Sequence, residues 1–273
     1  MTILKAAVVL LAVCAFGAVV FYVVASARFR AAADGLAAQV KGGPPMAEAV
    51  LPDPIRARAV FNGAGQDGAL RAVRLTQEAE FRRMPDADWG PMPAIQHMGL
   101  GTSAFVWNAS APGPGVPSFT VIDAYVGGNG VLRANLFGAI PVANAAGPVV
   151  DRAEAMRYLA ELPWAPDAIV GNPEVSWVET GDGGMEAALD TPSGRVAVRF
   201  TLNADGDFAG MVALRPDTGP DGTEFAREWR GRYEDYKWIA GRRIPASGEV
   251  GYVEDGAYWA YWRGRITALE LLP

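Results

Sequence analysis

The chain has 273 residues, a formal net charge of −6 and 51% hydrophobic residues, with one cysteine, Cys14, and one histidine, His97. This acidic balance, without a cluster of Lys and Arg, excludes a surface for nucleic acid, because such surfaces need basic residues that displace counterions. A single cysteine excludes a disulfide framework and a single histidine excludes sites that need two imidazoles, so we expect neither a metal site nor a cofactor.

The first element is an uncharged apolar run of 20 residues from Ala6 to Ala25. As a helix, this run rises about 30 Å, which matches the hydrocarbon core of a bilayer. The apolar part of a cleaved signal peptide usually has about 7–15 residues, although Ala25-Ser26-Ala27 fits a cleavage site. We therefore predict a transmembrane anchor over residues 1–30 that binds the protein to the membrane, with cleavage after Ala27 as the alternative.

Charges on the two sides of the run do not decide its orientation, because Lys5 flanks one end and Arg28 and Arg30 the other. A short tail before the run and a large domain after it are typical of a signal anchor. We expect the domain on the periplasmic or extracellular side of the cytoplasmic membrane. Residues 31–45 are predicted as a helical extension and a linker that ends in Gly-Gly-Pro-Pro, and residues 46–273 as one domain.

Within the domain, Pro54 and Gly63 mark a short helix, and from Leu70 onward apolar and polar residues alternate, which is typical of half-buried antiparallel strands. Glycine-rich turns at residues 127–130, 181–184, 191–194 and 205–206 separate consecutive strands, as hairpins require. The expected apolar strand faces are Val73/Leu75/Ala79/Phe81, Phe105/Trp107/Ala109, Phe119/Val121/Tyr125, Val196/Val198/Phe200/Leu202, Phe208/Val212/Leu214 and Tyr258/Ala260/Trp262/Ile266.

One helix interrupts the strands. Asp151 and Glu154 have the spacing of a capping box at its start, and Pro163 ends it. We predict a mainly β (α+β) fold: a curled antiparallel sheet or half-barrel around one central helix, preceded by the N-terminal transmembrane helix.

Asp123 is a polar residue on an apolar strand face. In a hairpin around residues 127–130, it shares a face with Val121 and Tyr125 and lies opposite Leu132. A carboxylate there needs a partner. It is either an acid in a pocket or an anchor for a ligand, or else a structural residue paired with backbone amides or with an arginine such as Arg157.

On the central helix, Glu154, Arg157, Tyr158 and Glu161 lie beside the apolar stripe, and Trp164 follows the helix. These residues either line a cavity against the sheet or form ordinary ion pairs on a solvated face.

The stretch from Phe225 to Trp262 contains ten aromatic residues. Trp259 and Trp262 are expected on opposite faces of one strand, so either both faces are covered or one forms a hydrophobic groove. This pattern favours an apolar ligand or packing against a membrane.

Two further motifs are weak. The stretch from Asp217 to Glu228 partly matches a calcium loop, but Gly219 and Pro220 break the pattern, so we expect a hairpin connection there. His97 follows Pro93 in an expected loop and has no recognisable catalytic partners.

Several segments together have a recognisable pattern. They are Leu51-Pro52-Asp53-Pro54, Phe105-Val106-Trp107, Asp123-Ala124-Tyr125, the string from Arg157 to Trp164, and Asp235-Tyr236 with Gly241-Arg242-Arg243-Ile244-Pro245. Over about Leu51 to Trp262, this pattern resembles a bacterial family of membrane-anchored proteins classed as a domain of unknown function. No activity follows from this resemblance. The Gly241–Pro245 element is also similar to one in periplasmic lipoprotein-carrier half-barrels, which implies that architecture.

The sequence thus predicts non-catalytic binding or handling of an apolar or lipid-like ligand at the cell envelope. A hydrolase-like enzyme that uses acidic residues and a structural component of an envelope complex are the alternatives. The candidate ligand-binding residues are Trp107, Asp123, Tyr125, Arg157, Tyr158, Glu161, Trp164, Tyr236 and Trp262.

Overall fold

The computed structural model describes residues 2–65 and 69–273. In these residues the chain forms four α-helices, one 3₁₀ turn at Leu162–Trp164 and fourteen strands. The helices are α1 (Thr2–Lys41), α2 (Asp53–Phe61), α3 (Pro148–Ala160) and α4 (Pro166–Gly171). The strands are β1 (Ala72–Phe81), β2 (Gly90–Pro91), β3 (Ala94–Gly99), β4 (Phe105–Ala111), β5 (Phe119–Val126), β6 (Asn129–Leu136), β7 (Ile140–Ala145), β8 (Val175–Glu179), β9 (Met185–Thr191), β10 (Gly194–Leu202), β11 (Phe208–Thr218), β12 (Glu224–Ile239), β13 (Arg242–Glu254) and β14 (Ala257–Leu272).

Among the described residues, the strands form one antiparallel sheet in the order β7-β6-β5-β4-β3-β1-β14-β13-β12-β11-β10-β9-β8, and β2 pairs with β1 beside this path. Hairpins connect most neighbours, and the turns fall where the glycine-rich segments predicted them. The stretch from Asp217 to Glu228 contains the hairpin connection between β11 and β12, as expected.

The sheet is curled around α3. This helix contacts β5 and β6 on one arm of the sheet and β9, β10 and β11 on the other arm. One helix can touch both arms only if the sheet bends around it. The main hydrophobic core fills part of this concave side. The predicted mainly β half-barrel around a central helix, after a long N-terminal apolar helix, is therefore confirmed.

Helix α1 is long and apolar enough to cross a membrane, by length and composition, as either an anchor or a signal sequence. It continues without a break to Lys41, so residues 31–41 are helical, as the sequence indicated. Its C-terminal part also packs on the convex face of the sheet, where Ala33 and Val40 contact Val106, Ile122 and other apolar residues. Nothing in the sequence analysis indicates this contact. The division into residues 1–30, 31–45 and 46–273 stays a prediction.

One local prediction was wrong at a strand irregularity. A register shift between Thr201 and Leu202 against β11 changes which residues of β11 face inward. Met211 and Ala213 are buried, whereas Leu214, expected in the core, is exposed. A β-bulge adds one residue to a strand, so the strict alternation used for the prediction fails beyond it.

Two other predictions also need correction. His97 lies in β3 rather than in a loop, paired with Arg74 on β1. Helix α3 begins at Pro148, so Asp151 does not cap it. The Asp151 carboxylate instead accepts hydrogen bonds from the Gly130 amide and the Ser193 hydroxyl, at 2.7 Å each. A proline at the first turn of a helix lacks the N–H that would need a partner, which explains the earlier start.

Candidate functional site

A cavity of about 610 Å³ lies between α3 and the concave face of the sheet. Its wall is mostly apolar and aromatic, and five of its charged side chains, from α3, β5, β11 and the turn after α3, form a group on its inner side. These are Asp123, Glu154, Arg157, Glu161 and Arg215. The volume is within the range of about 300–1,000 Å³ found for small-molecule pockets.

Arg157 is at the centre of the charged group. Its guanidinium donates to Asp123 Oδ2 at 2.6 Å and to Glu161 Oε1 at 2.9 Å. It also lies over the rings of Phe105 and Trp107, at 5.0 and 4.9 Å from the ring centres. Burial alone would lower the pKa of Arg157, but Glu161, Asp123 and Glu154 raise it above its usual value, so the guanidinium stays charged. Asp123 thus has the arginine partner that its position on an apolar strand face required.

A chain of side-chain hydrogen bonds connects this group to the aromatic wall. Trp107 Nε1 donates to Gln77 Oε1 at 2.7 Å, and Gln77 Nε2 donates to Gln96 Oε1 at 2.9 Å. Gln96 Nε2 in turn donates to Glu161 Oε2. Because both amides are buried, each bond satisfies a polar group that would otherwise be costly to bury. The chain fixes the orientation of Glu161 and therefore of Arg157.

Glu154 and Arg215 form a second buried pair, with Arg215 Nη2 at 2.9 Å from Glu154 Oε1. Burial raises the pKa of Glu154 to about 7, against the opposing charge of Arg215 and with further repulsion from Asp123. Burial also raises the pKa of Asp123, although Arg157 and Arg215 oppose the shift. Three carboxylates and two guanidiniums carry a net charge of −1, and protonation of Glu154 brings the group to neutrality.

Polar atoms in this wall lack partners within the described part of the chain. They are Asp123 Oδ1, Glu154 Oε2, Arg215 Nη1, Arg227 Nε and Trp262 Nε1, all buried without a hydrogen bond. Buried polar atoms of this kind are rare in folded proteins and are commonly found at functional sites. Among the described side chains, no three His, Cys, Asp or Glu residues form a group that could hold a metal ion.

Tryptophan side chains form much of the apolar wall. Trp164 donates to the Pro245 carbonyl at 3.1 Å, and its ring lies 5.9 Å from that of Trp262. Gly248 makes room for this ring, because a Cβ at that position would be 3.0 Å from Trp164 Cζ2. Trp259 and Trp262 both line the cavity, so their predicted placement on opposite faces was wrong. The register between β13 and β14 shifts at Val250/Gly251, and the resulting bulge brings both indoles to one side.

Six of the nine predicted site residues line the cavity: Trp107, Asp123, Arg157, Glu161, Trp164 and Trp262. The other three have contacts elsewhere. Tyr158 is fully buried and donates to the Gly99 carbonyl at 3.0 Å, and Tyr236 donates to the Phe208 carbonyl at 3.0 Å. Tyr125 is buried in the main core. These three tyrosines were predicted from their neighbours in the sequence, and they stabilise the walls rather than face the cavity.

Sequence reasoning missed Gln77, Gln96 and Arg215. A signal for Gln77 was present, because it alternates with Leu75 and Ala79 on the apolar face of β1. Gln96 follows the same logic on β3, between the buried Ala94 and Met98. Arg215 could not be found by alternation, because the bulge near the start of β11 reverses its face.

Residues 44–264 match a protein family described as a family of unknown function, DUF6544. The match covers most of the chain. The chain belongs to this family. A comparison with curated proteins returns no match.

Solved structures similar to this chain include the following three. A LolA superfamily protein from Nitrosomonas europaea aligns with a TM-score of 0.42 and 11% identity over 82% of this chain and 94% of that chain. A domain named as an outer membrane lipoprotein-sorting protein, from Vibrio parahaemolyticus, gives 0.43 and 8% over 80% and 90%. A DUF1329 family protein from Desulfovibrio piger gives 0.45 and 8% over 80% and 90%. Both similarities expected from the sequence, to a family of unknown function and to lipoprotein-carrier half-barrels, are thus found.

Proposed function

We propose that this protein binds an apolar or lipid-like molecule in the cavity between α3 and the concave face of the sheet. The observation that carries the proposal is the cavity itself: about 610 Å³ of space with an aromatic wall, next to a paired charged group. An apolar chain would be sheltered by the tryptophans, and a polar end group could pair with the unpartnered atoms of Asp123, Glu154 and Arg215.

The hydrogen bonds within the same charged group make the hydrolase-like alternative less suitable than ligand binding. Asp123 and Glu161 both accept hydrogen bonds from Arg157, and Glu154 accepts one from Arg215. A general base or nucleophile needs a carboxylate that is free to reach the substrate, whereas these carboxylates hold guanidiniums in place. Their arrangement is better suited to positioning a ligand than to proton transfer.

We also propose that α1 is retained as a single-pass anchor and that the domain lies outside the cytoplasmic membrane. Cleavage after Ala27 would cut a continuous helix beside the buried Ser26 and ahead of Phe29, which packs on the convex face of the sheet. Proteases cut segments that open easily, and a helix docked on a sheet is protected by that packing.

Photolabelling of the full chain in vesicles tests the binding. The probe is a phospholipid with a photoreactive group on its acyl chain, and labelled peptides are identified by mass spectrometry. We expect adducts on the cavity wall, including the peptide that contains Met211, besides those on the apolar part of α1.

A pair of matched variants makes the test specific. Leu132→Trp adds bulk at the cavity wall opposite Asp123, whereas Leu214→Trp makes the same change on the exposed side of β11. The first variant should reduce cavity adducts several-fold and the second should leave them unchanged. Equal labelling of the two variants, or adducts confined to α1, would contradict the proposal.

A further inference from the structure

Helix α1 begins to contact the domain before its apolar run ends. Tyr22 and Ala25 are half-buried and Ser26 is buried, whereas most residues nearer the N-terminus are exposed. These positions start the stripe that continues through Phe29 to Val40 on the convex face. Since a helix rises about 1.5 Å per residue, the domain reaches the level where the apolar run stops, within about one helical turn.

The part of the domain beside Ser26 is the hairpin between β6 and β7. A Cβ built on Gly138, in the turn of this hairpin, would lie 3.7 Å from Ser26 Oγ. The hairpin exposes three large apolar side chains: Phe137 at 51%, Ile140 at 48% and Val142 at 49%. Phe137 has a φ of +52°, a left-handed conformation that is uncommon for residues other than glycine.

The cavity rim lies at the same end of the sheet. β5 starts beside the end of β4, where Phe119 pairs with Ala111, and β1 ends at Phe81 beside Trp262. The antiparallel register therefore places the turn after β1, the start of β5 and the tip of the β6–β7 hairpin at one edge. Met84, in the turn after β1, lines the cavity together with Phe119 and Trp259. Arg83 in this turn lies 4.8 Å over the Phe119 ring.

We propose that the tip of the β6–β7 hairpin, from Phe137 to Val142, inserts into the bilayer surface next to the anchor and holds the cavity rim against the membrane. This inference rests on the proposed anchor. Apolar side chains at the level where a transmembrane helix leaves the hydrocarbon core are buried in the headgroup region, and the exposed Arg28 and Arg30 suit its anionic lipids. A lipid-like molecule could then pass between the bilayer and the cavity without crossing water.

A second exposed apolar patch serves as the natural comparison. Val60 and Phe61 end α2, and Trp238 lies near the end of β12, next to the turn into β13. A Cβ on Gly63 would lie 3.1 Å from the Trp238 ring, which joins these elements into one patch. This patch lies at the opposite end of the sheet from the cavity rim, because β12 runs away from that rim.

Fluorescence quenching by lipids tests the placement in the full chain. With Cys14→Ala as background, a single cysteine is introduced by Ile140→Cys or by Val60→Cys and labelled with an environment-sensitive fluorophore. The two sites are matched in exposure, at 48% and 52%. The proteins are reconstituted into vesicles of phosphatidylethanolamine and phosphatidylglycerol, with or without doxyl-labelled lipid.

We expect the label at position 140 to be shifted to the blue and quenched several-fold more strongly than the label at position 60. Adding Phe137→Ser should weaken the quenching at position 140, whereas adding Phe61→Ser should not. Equal quenching at both sites would overturn the proposal. A disulfide between two copies of the unlabelled Ile140→Cys protein, together with no quenching of the labelled protein by lipid, would show that a second copy covers the hairpin and would also overturn it.

This outcome is separable from the binding function. Photolabelling of the cavity in the same vesicles can persist when the label at position 140 is not quenched, which would leave the ligand proposal in place and remove only the membrane contact of the hairpin.

Discussion

The two faces of β5 differ in packing and in charge. On the convex side, Ile122 and Ala124 are fully buried against α1 and its neighbours, and the contact consists of apolar side chains, several of them alanines. On the concave side, Asp123 lies between them in the sequence but faces a cavity and a guanidinium. The convex face is filled and contributes stability through packing. The concave face retains space and buried charges, which cost folding free energy and are therefore expected where a ligand binds.

The largest loss in the free energy of unfolding is expected when Arg157, at the centre of the buried charged group, is replaced. Arg157→Met leaves Asp123 and Glu161 without their shared cation, and an uncompensated buried charge costs about 3–5 kcal/mol. Arg195→Met removes an arginine from an exposed pair with Asp190 and should cost about 0–1 kcal/mol. Urea unfolding of the full chain in nanodiscs, followed by tryptophan fluorescence, measures both.

Equal losses for these two variants would mean that Arg157 is solvated in the cavity, and the description of a buried group would then be wrong.

The next largest effect is the dependence of the free energy of unfolding on pH, which Glu154 causes. Burial raises the pKa of Glu154 to about 7 from the usual 4.5. The folded protein therefore holds this proton more tightly than the unfolded chain, and the resulting stability is present below pH 4.5 and is lost as the pH rises through 7. The shift corresponds to a loss on the order of 3 kcal/mol in the free energy of unfolding across that interval.

Glu154→Gln should flatten this part of the pH profile, because an amide cannot ionise, while Glu48→Gln at an exposed position should keep the profile of the wild type. Urea unfolding at several pH values between 5 and 8 provides the comparison. A Glu154→Gln protein with an unchanged slope would assign the pH dependence to another group.

The same contrast explains what the sequence could predict. Alternation along β1, β4 and β5, together with the glycine turns, correctly predicted the strands and the face that carries Trp107 and Asp123. The curvature of the sheet around α3 was predicted because a single helix interrupts the series of strands. These features are local or depend on chain order, so one sequence contains them.

Other features depend on contacts between distant segments. Each of the bulges in β11 and β14 adds one residue, so the side chains on the two sides of the bulge no longer alternate as expected. For this reason Arg215 was missed and Trp259 was assigned to the wrong face. The docking of α1 on the convex face depends on apolar residues of β4 and β5, and in the sequence these look like ordinary strand residues. Tyr158 was chosen for its place beside Arg157, but its hydroxyl bonds with Gly99, which lies 59 residues away in the sequence.

The smallest loss of stability is expected from a substitution on the convex face, where α1 packs on the sheet. Ala33 is buried there against the sheet, so Ala33→Leu overpacks a filled contact, which usually costs about 1–3 kcal/mol. The cost is limited, because α1 can move away from the sheet without unfolding the core around α3. Ala31→Leu adds the same atoms at an exposed position of the same helix and should have no such effect.

Limited trypsin digestion in nanodiscs measures the loss of docking, since Arg30 and Lys41 lie on this part of α1. Cleavage at these sites should be several-fold faster in Ala33→Leu than in Ala31→Leu, because a helix that is released from the sheet opens more often. Urea unfolding of the core should change less than it does in Arg157→Met. If both alanine variants are cut at the rate of the wild type, the packing of α1 does not depend on Ala33. The convex face would then have room for a larger side chain and would not be a filled contact.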